Sequence, residues 1–222
     1  GLIVDSYFSS TKIQWILQNV PECKELLANN NLLFGTIDCW LIWNLTGNHY
    51  TDLTNASRTQ LLNIKETKWD PELLSFFKVP SQILPELKQS VDEFGFWEFR
   101  GVKIPILGVA GDQQAALFGQ QCYEIGMAKN TYGTGCFMLL NTGENAISSQ
   151  NGLLTTIAWS INGKLNYALE GSVFVAGTAI QWLRDALKII AHASETEQLA
   201  NETDDEDVIF IPSFSGLGAP YW

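Results

Sequence analysis

The stretch Ile104 to Gln120, IPILGVAGDQQAALFGQ, places the strongest constraint on how this chain can fold. Ile104 to Ala110 is a short apolar run with Arg100-Gly101 before it and Gly111 after it, and it reads as a buried strand. From Gln113 the composition turns to Gln-Gln-Ala-Ala-Leu-Phe, which predicts a helix. Asp112 stands at the joint, and two readings of it are open. An aspartate is a preferred N-cap, because its carboxylate accepts the unpaired N–H groups of the first helical turn. A carboxylate at the C-terminal end of a strand also faces the crevice where α/β sheets bind ligands, and there it can take a proton from a substrate hydroxyl.

The 222 residues leave room for one large domain or two smaller ones, and 46% hydrophobic content is enough for a real core. A formal net charge of −11 argues against a broad nucleic-acid surface, which needs clustered Lys and Arg. It leaves a nucleotide open, since backbone N–H groups, helix N-termini and a divalent metal can hold phosphates. Cys23, Cys39, Cys122 and Cys136 include no C-x-x-C pair, and only His49 and His192 could join them, so no zinc site is expected. The cysteines read as free thiols in a reducing cytoplasm. No apolar run reaches the roughly 18 residues of a membrane span, and no charged-then-apolar leader opens the chain. The Gly-Leu-Ile-Val start and the Gly-Ala-Pro-Tyr-Trp end read as cuts within a longer protein.

Along the chain, Ser9-Ser10-Thr11 offers caps to a helix carrying Ile13, Ile16 and Leu17 on one face, and Pro21 ends it. Leu32 to Trp43 reads as a strand and then a helix, with Asp38 as a cap. Trp69-Asp70-Pro71 starts another helix with Pro in its first turn, and Val91 to Arg100 reads as a packed loop or edge strand. Met127 to Tyr132 and Cys136 to Asn141 predict a hairpin with Gly133-Thr134-Gly135 at its tip. Asn162-Gly163 predicts a second hairpin, between Leu153–Trp159 and Leu165–Leu169. Ser172 to Ile190 reads as a helix with Gly177 inside it. Ser194 to Asp207 is a polar, acidic surface run, and Val208 to Pro212 reads as a strand. A domain boundary is expected near residue 120, dividing 1–119 from 120–222.

Three features can hold an anion. Glycines at the 133–135 tip let the backbone approach a ligand, and the Thr134 hydroxyl adds a donor. Gly177 and the Gly216-Leu-Gly-Ala-Pro loop allow similar approach, although each is also an ordinary packing or turn device.

Together these stretches carry a resemblance. Tyr7-Phe-Ser-Ser-Thr-Lys12, Leu33-Phe-Gly-Thr-Ile-Asp38, Thr51-Asp-Leu-Thr-Asn-Ala-Ser-Arg-Thr59, Gly111-Asp-Gln-Gln-Ala-Ala-Leu-Phe-Gly119 and Lys129-Asn-Thr-Tyr-Gly-Thr-Gly-Cys-Phe137 are similar to the FGGY carbohydrate kinases. So are Asn151-Gly-Leu-Leu-Thr-Thr156, Tyr167-Ala-Leu-Glu-Gly171, Ile180-Gln-Trp-Leu-Arg-Asp185 and Gly216-Leu-Gly-Ala-Pro-Tyr-Trp222. The match runs the length of the chain and covers the middle of the family's enzymes. The Gly-Asp-Gln-Gln form is similar to the members that phosphorylate glycerol rather than pentuloses or hexuloses.

The resemblance implies an α/β fold of the actin-like (ribonuclease H-like) ATPase class, with two lobes, both incomplete here. It implies transfer of a phosphoryl group from ATP, with Mg2+, to glycerol, in an enzyme that forms homo-oligomers. By the same resemblance Asp112 is the general base, and Tyr7, Asp112, Gln113 and Phe137 contact glycerol. Thr134, Gly177 and Gln181 contact the nucleotide, and no residue of the chain is a metal ligand. The family's N-terminal phosphate loop and its Arg-Glu polyol pair would lie upstream of Gly1, and further adenine contacts beyond Trp222. Phe94 to Lys103 lacks the glycine-rich loop of members regulated by a sugar bisphosphate, so that regulation is not expected. The chemistry agrees with these assignments: phosphoryl transfer needs mainly positioning and charge neutralisation, and a helix N-terminus favours the anionic form of a carboxylate.

Overall fold

The computed structural model describes residues 1–204 and 207–222. Helices α1 (Ser9–Asn19), α2 (Glu22–Ala28) and α3 (Ile37–Thr46) come first, and Gly47, at φ 78°, ends α3. Strand β1 (Tyr50–Asp52) leads into the short α4 (Leu53–Ala56), followed by the ribbon of β2 (Leu62–Asn63) and β3 (Lys68–Trp69). Helix α5 (Pro71–Phe77) and a 3-10 turn at Ser81–Ile83 precede β4 (Glu86–Lys88), which pairs parallel with β1. Strands β5 (Val91–Phe99) and β6 (Val102–Gly108) form an antiparallel ribbon that feeds α6 (Asp112–Gly119). Next come β7 (Ala128–Tyr132), β8 (Cys136–Gly143), β9 (Leu154–Ile161) and β10 (Lys164–Val173), in one antiparallel sheet of order β7-β8-β10-β9. Helices α7 (Gly177–Asp185) and α8 (Glu195–Asn201) follow.

Local chemistry explains most of the joints. The Asp70 carboxylate accepts the N–H groups of Glu72 and Leu73, and Pro71 occupies the first turn of α5, where its missing N–H costs nothing. Asn162 and Gly163, at φ 52° and 76°, make the two-residue turn between β9 and β10. Both φ values are positive, as a turn matched to the twist of paired strands requires. Arg100-Gly101 closes the β5–β6 hairpin in the same way.

The core lies in three clusters. Ile13, Leu61, Leu74, Phe77, Val79, Ile83 and Leu84 join α1 and α5 to the segment before β4. Leu117 of α6 packs with Cys122, Leu139, Ala158, Trp159 and Ala168, so α6 is anchored on the four-stranded sheet. Leu53, Ala56 and Leu62 meet Ile157 and Tyr167, joining α4 to β9 and β10. Fully burying one such side chain contributes about 1.5–3 kcal/mol, and Leu61, Leu117, Leu139 and Ile157 are all inaccessible to solvent.

Several expectations are corrected. Strand β6 is not buried: Ile104 is 40% and Leu107 53% exposed, and β6 pairs with β5 in a two-stranded ribbon. Of the two readings of Val91 to Arg100, the strand holds, as the nine-residue β5 of a two-stranded ribbon. No strand precedes α3, and Asp38 lies inside its first turn, accepting the Thr36 and Thr51 hydroxyls instead of capping. Neither Ser9, Ser10 nor Thr11 caps α1: Phe8 holds that position and the Ser10 hydroxyl donates to Gln60. Residues 172 and 173 belong to β10, α7 covers only Gly177–Asp185, and Gly177 is therefore its first residue. Residues 208–212 form no strand, and Val208 and Ile209 are 80% and 84% exposed. In the acidic run, α8 has no buried residue, and Asp205 and Glu206 lie outside the described residues. The four cysteines are free thiols. Among the described residues no helix is long and apolar enough to cross a membrane.

One buried carboxylate ties the pieces together. Asp52, wholly inaccessible, caps α4 by accepting the Thr54 and Asn55 backbone N–H groups at 3.0 Å each. It also accepts the Thr54 hydroxyl, the Asn55 amide and the Ser90 hydroxyl, each at 2.8 Å. Burial pushes its carboxyl up from the ordinary range, and the donors from Asn55, Thr54 and Ser90 pull it back. Asp52→Ala removes a cap, worth about 1 kcal/mol, and orphans buried donors at about 1–3 kcal/mol. The expected loss in a urea titration is about 2–4 kcal/mol; an unchanged midpoint would contradict this account.

Candidate active site

The loop before α6 is held from behind. The Gly111 N–H donates to the Thr54 hydroxyl at 2.8 Å, and that hydroxyl in turn donates to Asp52. Gly111, not Asp112, is the N-cap residue, and no side chain caps α6. The capping reading of Asp112 therefore fails. Its carboxylate is exposed, and among the described residues it accepts one side-chain hydrogen bond, from the Gln113 amide to Oδ2 at 3.0 Å. Behind it Gln114 is buried and reaches toward Thr156 of β9. A side chain on Gly111 would collide with that Gln114 amide at 2.6 Å.

Gln113 is held from its other end. Lys129 of β7, only 2% exposed, donates through Nζ to Gln113 Oε1, to the Thr131 hydroxyl at 2.9 Å and to the Phe137 carbonyl at 3.0 Å. Burial pulls the ammonium down from the ordinary lysine value, while Asp112, Glu170 and Cys122 push it back up. The Phe137 ring lies against Gly135, where an added Cβ would come within 3.3 Å of it.

Tyr7 precedes α1 and is 44% exposed. Its ring packs edge-on against Phe8 at 5.2 Å and tilts against Phe174 at 5.9 Å. Burial pushes its phenol up; the Arg58 cation opposes that, and the negative charges of Glu170 and Asp112 reinforce it. Arg58 lies 5.3 Å over the Phe8 ring. Its Nη2 donates to Glu170 Oε1 at 2.9 Å, and Nη1 lies 2.7 Å from Oε2 as an ionic contact rather than an aligned hydrogen bond. The Ser172 hydroxyl donates to Glu170 at 2.7 Å, so the buried carboxylate is well supplied. Asp112 and the Phe137 carbonyl are thus linked through Gln113 and Lys129, Tyr7 lies within electrostatic reach of Asp112, Arg58 and Glu170, and the Phe137 ring lies beside Gly135 at the hairpin tip.

The other sequence-predicted residues form a second group. The 133–135 tip docks onto the start of α7: the Ala176 N–H donates to the Thr134 carbonyl and the Gly177 N–H to the Gly133 carbonyl, both at 2.9 Å. A Cβ on Gly177 would lie 2.5 Å from that Gly133 oxygen, and a Cβ on Gly135 would lie 2.4 Å from the Val173 oxygen. Both glycines are therefore demanded by close backbone packing. Thr134 is exposed at the tip, and Gln181, also exposed, lies one helical turn beyond Gly177 on the same face. The β7–β8 hairpin joins the groups, because Lys129 and Phe137 lie on the two strands of the hairpin whose tip is Thr134. Two apolar cavities lie elsewhere. One of about 450 Å³ is lined by Leu2, Gln60, Ile64 and Phe76, and one of about 210 Å³ by Ile13, Leu17 and Phe34. The described residues include no cluster of three His, Cys, Asp or Glu able to hold a metal.

Arg58, Glu170, Lys129 and Asp52 were not singled out from the sequence. A weak signal existed for Lys129: alternation in a strand puts it on the face of Thr131, yet A-K-N-T-Y contains no apolar run to say which face is buried.

Two family models match the chain: the N-terminal domain of the FGGY family of carbohydrate kinases over residues 1–119 and the C-terminal domain of that family over residues 128–222. The chain belongs to the FGGY family of carbohydrate kinases. Among curated relatives, a glycerol kinase of Desulforamulus reducens is 59% identical over 228 residues, a match that covers 100% of this chain and 46% of the relative. The chain therefore spans about half the length of the curated relatives it matches. A crystal structure of Plasmodium falciparum glycerol kinase with ADP aligns with a TM-score of 0.87 at 43% identity, covering 100% of this chain and 46% of that one. A gluconate kinase from Lactobacillus acidophilus aligns with a TM-score of 0.78 at 24% identity, covering 96% of this chain and 44% of that one, and shares the fold alone. The actin-like ATPase class implied by the resemblance is the fold these matches define.

Removing one partner of a buried ion pair leaves the other charge uncompensated, at about 3–5 kcal/mol. Arg58→Ala should cost that much in denaturant unfolding, and adding Glu170→Gln should recover a substantial part. A double variant no more stable than Arg58→Ala would contradict the pairing.

Proposed function

We propose that this chain carries the acceptor site and part of the nucleotide site of an ATP-dependent glycerol kinase. The observation that carries the proposal is Asp112, an exposed carboxylate left uncommitted at the start of α6, within a sequence 59% identical to a named glycerol kinase. Asp112 takes the proton from a glycerol hydroxyl as that oxygen attacks the γ-phosphorus of ATP. The bond from phosphorus to the β,γ-bridging oxygen breaks, and ADP leaves with sn-glycerol 3-phosphate as the other product. Gln113 and Tyr7 supply polar contacts to the polyol, and Phe137 lies along its carbon face. Thr134 at the hairpin tip, with Gly177 and Gln181 on α7, faces the nucleotide. ADP in the Plasmodium falciparum structure supports a nucleotide site in the shared fold.

A Mg2+ ion would arrive with ATP and neutralise phosphate charge. Mg2+ is usually held by one or two carboxylates together with substrate phosphates. The same reading divides residues 1–119, which bind the acceptor, from 120–222, which bind the nucleotide. It places a homo-oligomeric enzyme in the cytoplasm. The 46% coverage of the relatives supports a further expectation, that these 222 residues alone turn over poorly.

In the full-length protein carrying this sequence, Asp112→Asn should lower kcat with ATP and glycerol by about 10²–10⁴-fold, with an unchanged thermal melt. Near-normal turnover would remove the base assignment, and a clear preference for a pentulose or gluconate over glycerol would favour another member of the family. For the isolated 222 residues, glycerol-dependent ATP turnover should be at least about 10²-fold below the full-length rate, the scale expected when positioning groups are missing. Comparable rates would refute that part.

A further inference from the structure

We propose that Lys129 is the positioning residue of the acceptor site, holding Gln113 and the Phe137 backbone in register so that the Gln113 amide is aimed at Asp112. The inference rests on the reading of Asp112 as base and deepens it.

The geometry is specific. The three ammonium hydrogens have three acceptors on two elements: Gln113 Oε1 on α6, and the Thr131 hydroxyl and Phe137 carbonyl on the β7–β8 hairpin. The Gln113 amide has its oxygen committed to the lysine, which turns its nitrogen toward Asp112 Oδ2 at 3.0 Å. Lys129 therefore decides which end of the glutamine faces the base. A free glutamine at an exposed helix start would lose that orientation, because its terminal torsion is broad and roughly two-fold. A bond to an ionised donor is also stronger than one between neutral groups, so the lysine can hold the amide against water.

An ordinary structural lysine would not need this arrangement. Burying an ammonium is costly unless it is paired and hydrogen-bonded, and a strand position on an inward face is more cheaply filled by an apolar residue. The ammonium makes no direct ion pair, yet Asp112 and Glu170 both lie within its electrostatic reach, as does the Cys122 thiol. Tyr7 and Arg58 complete the charged and titratable surroundings of that cluster. Lys129 thus orients the neighbour of the base. Through Gln113 Oε1 it also joins α6 to the hairpin whose tip bears Thr134.

The test uses the full-length protein and four variants: Lys129→Met, Gln113→Ala, their combination and Asp112→Asn. In Lys129→Met, kcat/KM for glycerol should fall about 10–100-fold, the scale of an ångström-level misplacement, while KM for ATP stays within about 3-fold. In the Gln113→Ala background, Lys129→Met should cost less than about 3-fold more, since residues acting through one another are non-additive. A wild-type kcat/KM for glycerol in Lys129→Met, or full multiplicativity with Gln113→Ala, would overturn the proposal. If Lys129→Met does not fold, Lys129→Gln, which keeps an amide donor without the charge, carries the same expectations and the same refutation. Asp112→Asn separates the two readings. If it retains turnover, the base assignment falls; if it abolishes turnover while the Lys129 variants behave as wild type, the positioning role alone falls.

Discussion

The Asp52 carboxylate is the contact on which the rest of this arrangement depends. It caps α4, binds the Ser90 hydroxyl between β4 and β5, and through Thr54 fixes the Gly111 N–H. Ser90 in turn takes part in hydrogen bonds with Ser160 of β9. A short helix, a ribbon, the loop before α6 and the edge of the four-stranded sheet are therefore tied to one buried anion. Apolar burial holds each of these pieces, but it is non-directional. The hydrogen bonds around Asp52 supply the direction and set where α6 begins, hence where Asp112 stands. Because Gly111 is held by Thr54 rather than by a capping side chain, Asp112 is released from structural duty.

Lys129 does for the acceptor side what Asp52 does for the scaffold, with the opposite sign of charge. Both are fully or almost fully buried, and both are supplied with several partners of suitable chemistry. Arg58 and Glu170 add a third charged contact, between the segment after α4 and β10. The net charge of −11 thus coexists with a site whose inner shell contains two cations beside Asp112 and Glu170. In the proposed reaction, that local balance lies where negative charge on transferring phosphoryl oxygens has to be stabilised.

Much of the local structure was legible in the sequence wherever one residue type has one backbone consequence. Asn162-Gly163 and Gly133-Thr134-Gly135 marked both hairpins, and Asp70-Pro71 marked the start of α5. The failures have physical causes. Ile104 and Leu107 looked like core because hydrophobicity alone cannot tell whether a strand is covered on both faces. Residues 172–190 carry apolar spacing compatible with a helix, yet residues up to Val173 satisfy their backbone groups in the sheet. Gly177 looked like a mid-helix liability, but it is the contact point for the Gly133 carbonyl, a tertiary demand invisible at its own position. Asp112 and Gln113 were singled out through resemblance to a family. Lys129, Arg58 and Glu170 were not, because what distinguishes them is burial and partnership across the fold, with 112 residues separating Arg58 from Glu170.

The most direct test is a crystal structure of the full-length protein carrying this sequence, bound to glycerol and a non-hydrolysable ATP analogue. The account predicts a glycerol hydroxyl within about 2.6–3.2 Å of the Asp112 carboxylate, with the γ-phosphate in line on the far side of that oxygen and the 133–135 tip beside the phosphates. Glycerol bound elsewhere, or an Asp112 carboxylate turned away from both ligands, would contradict it.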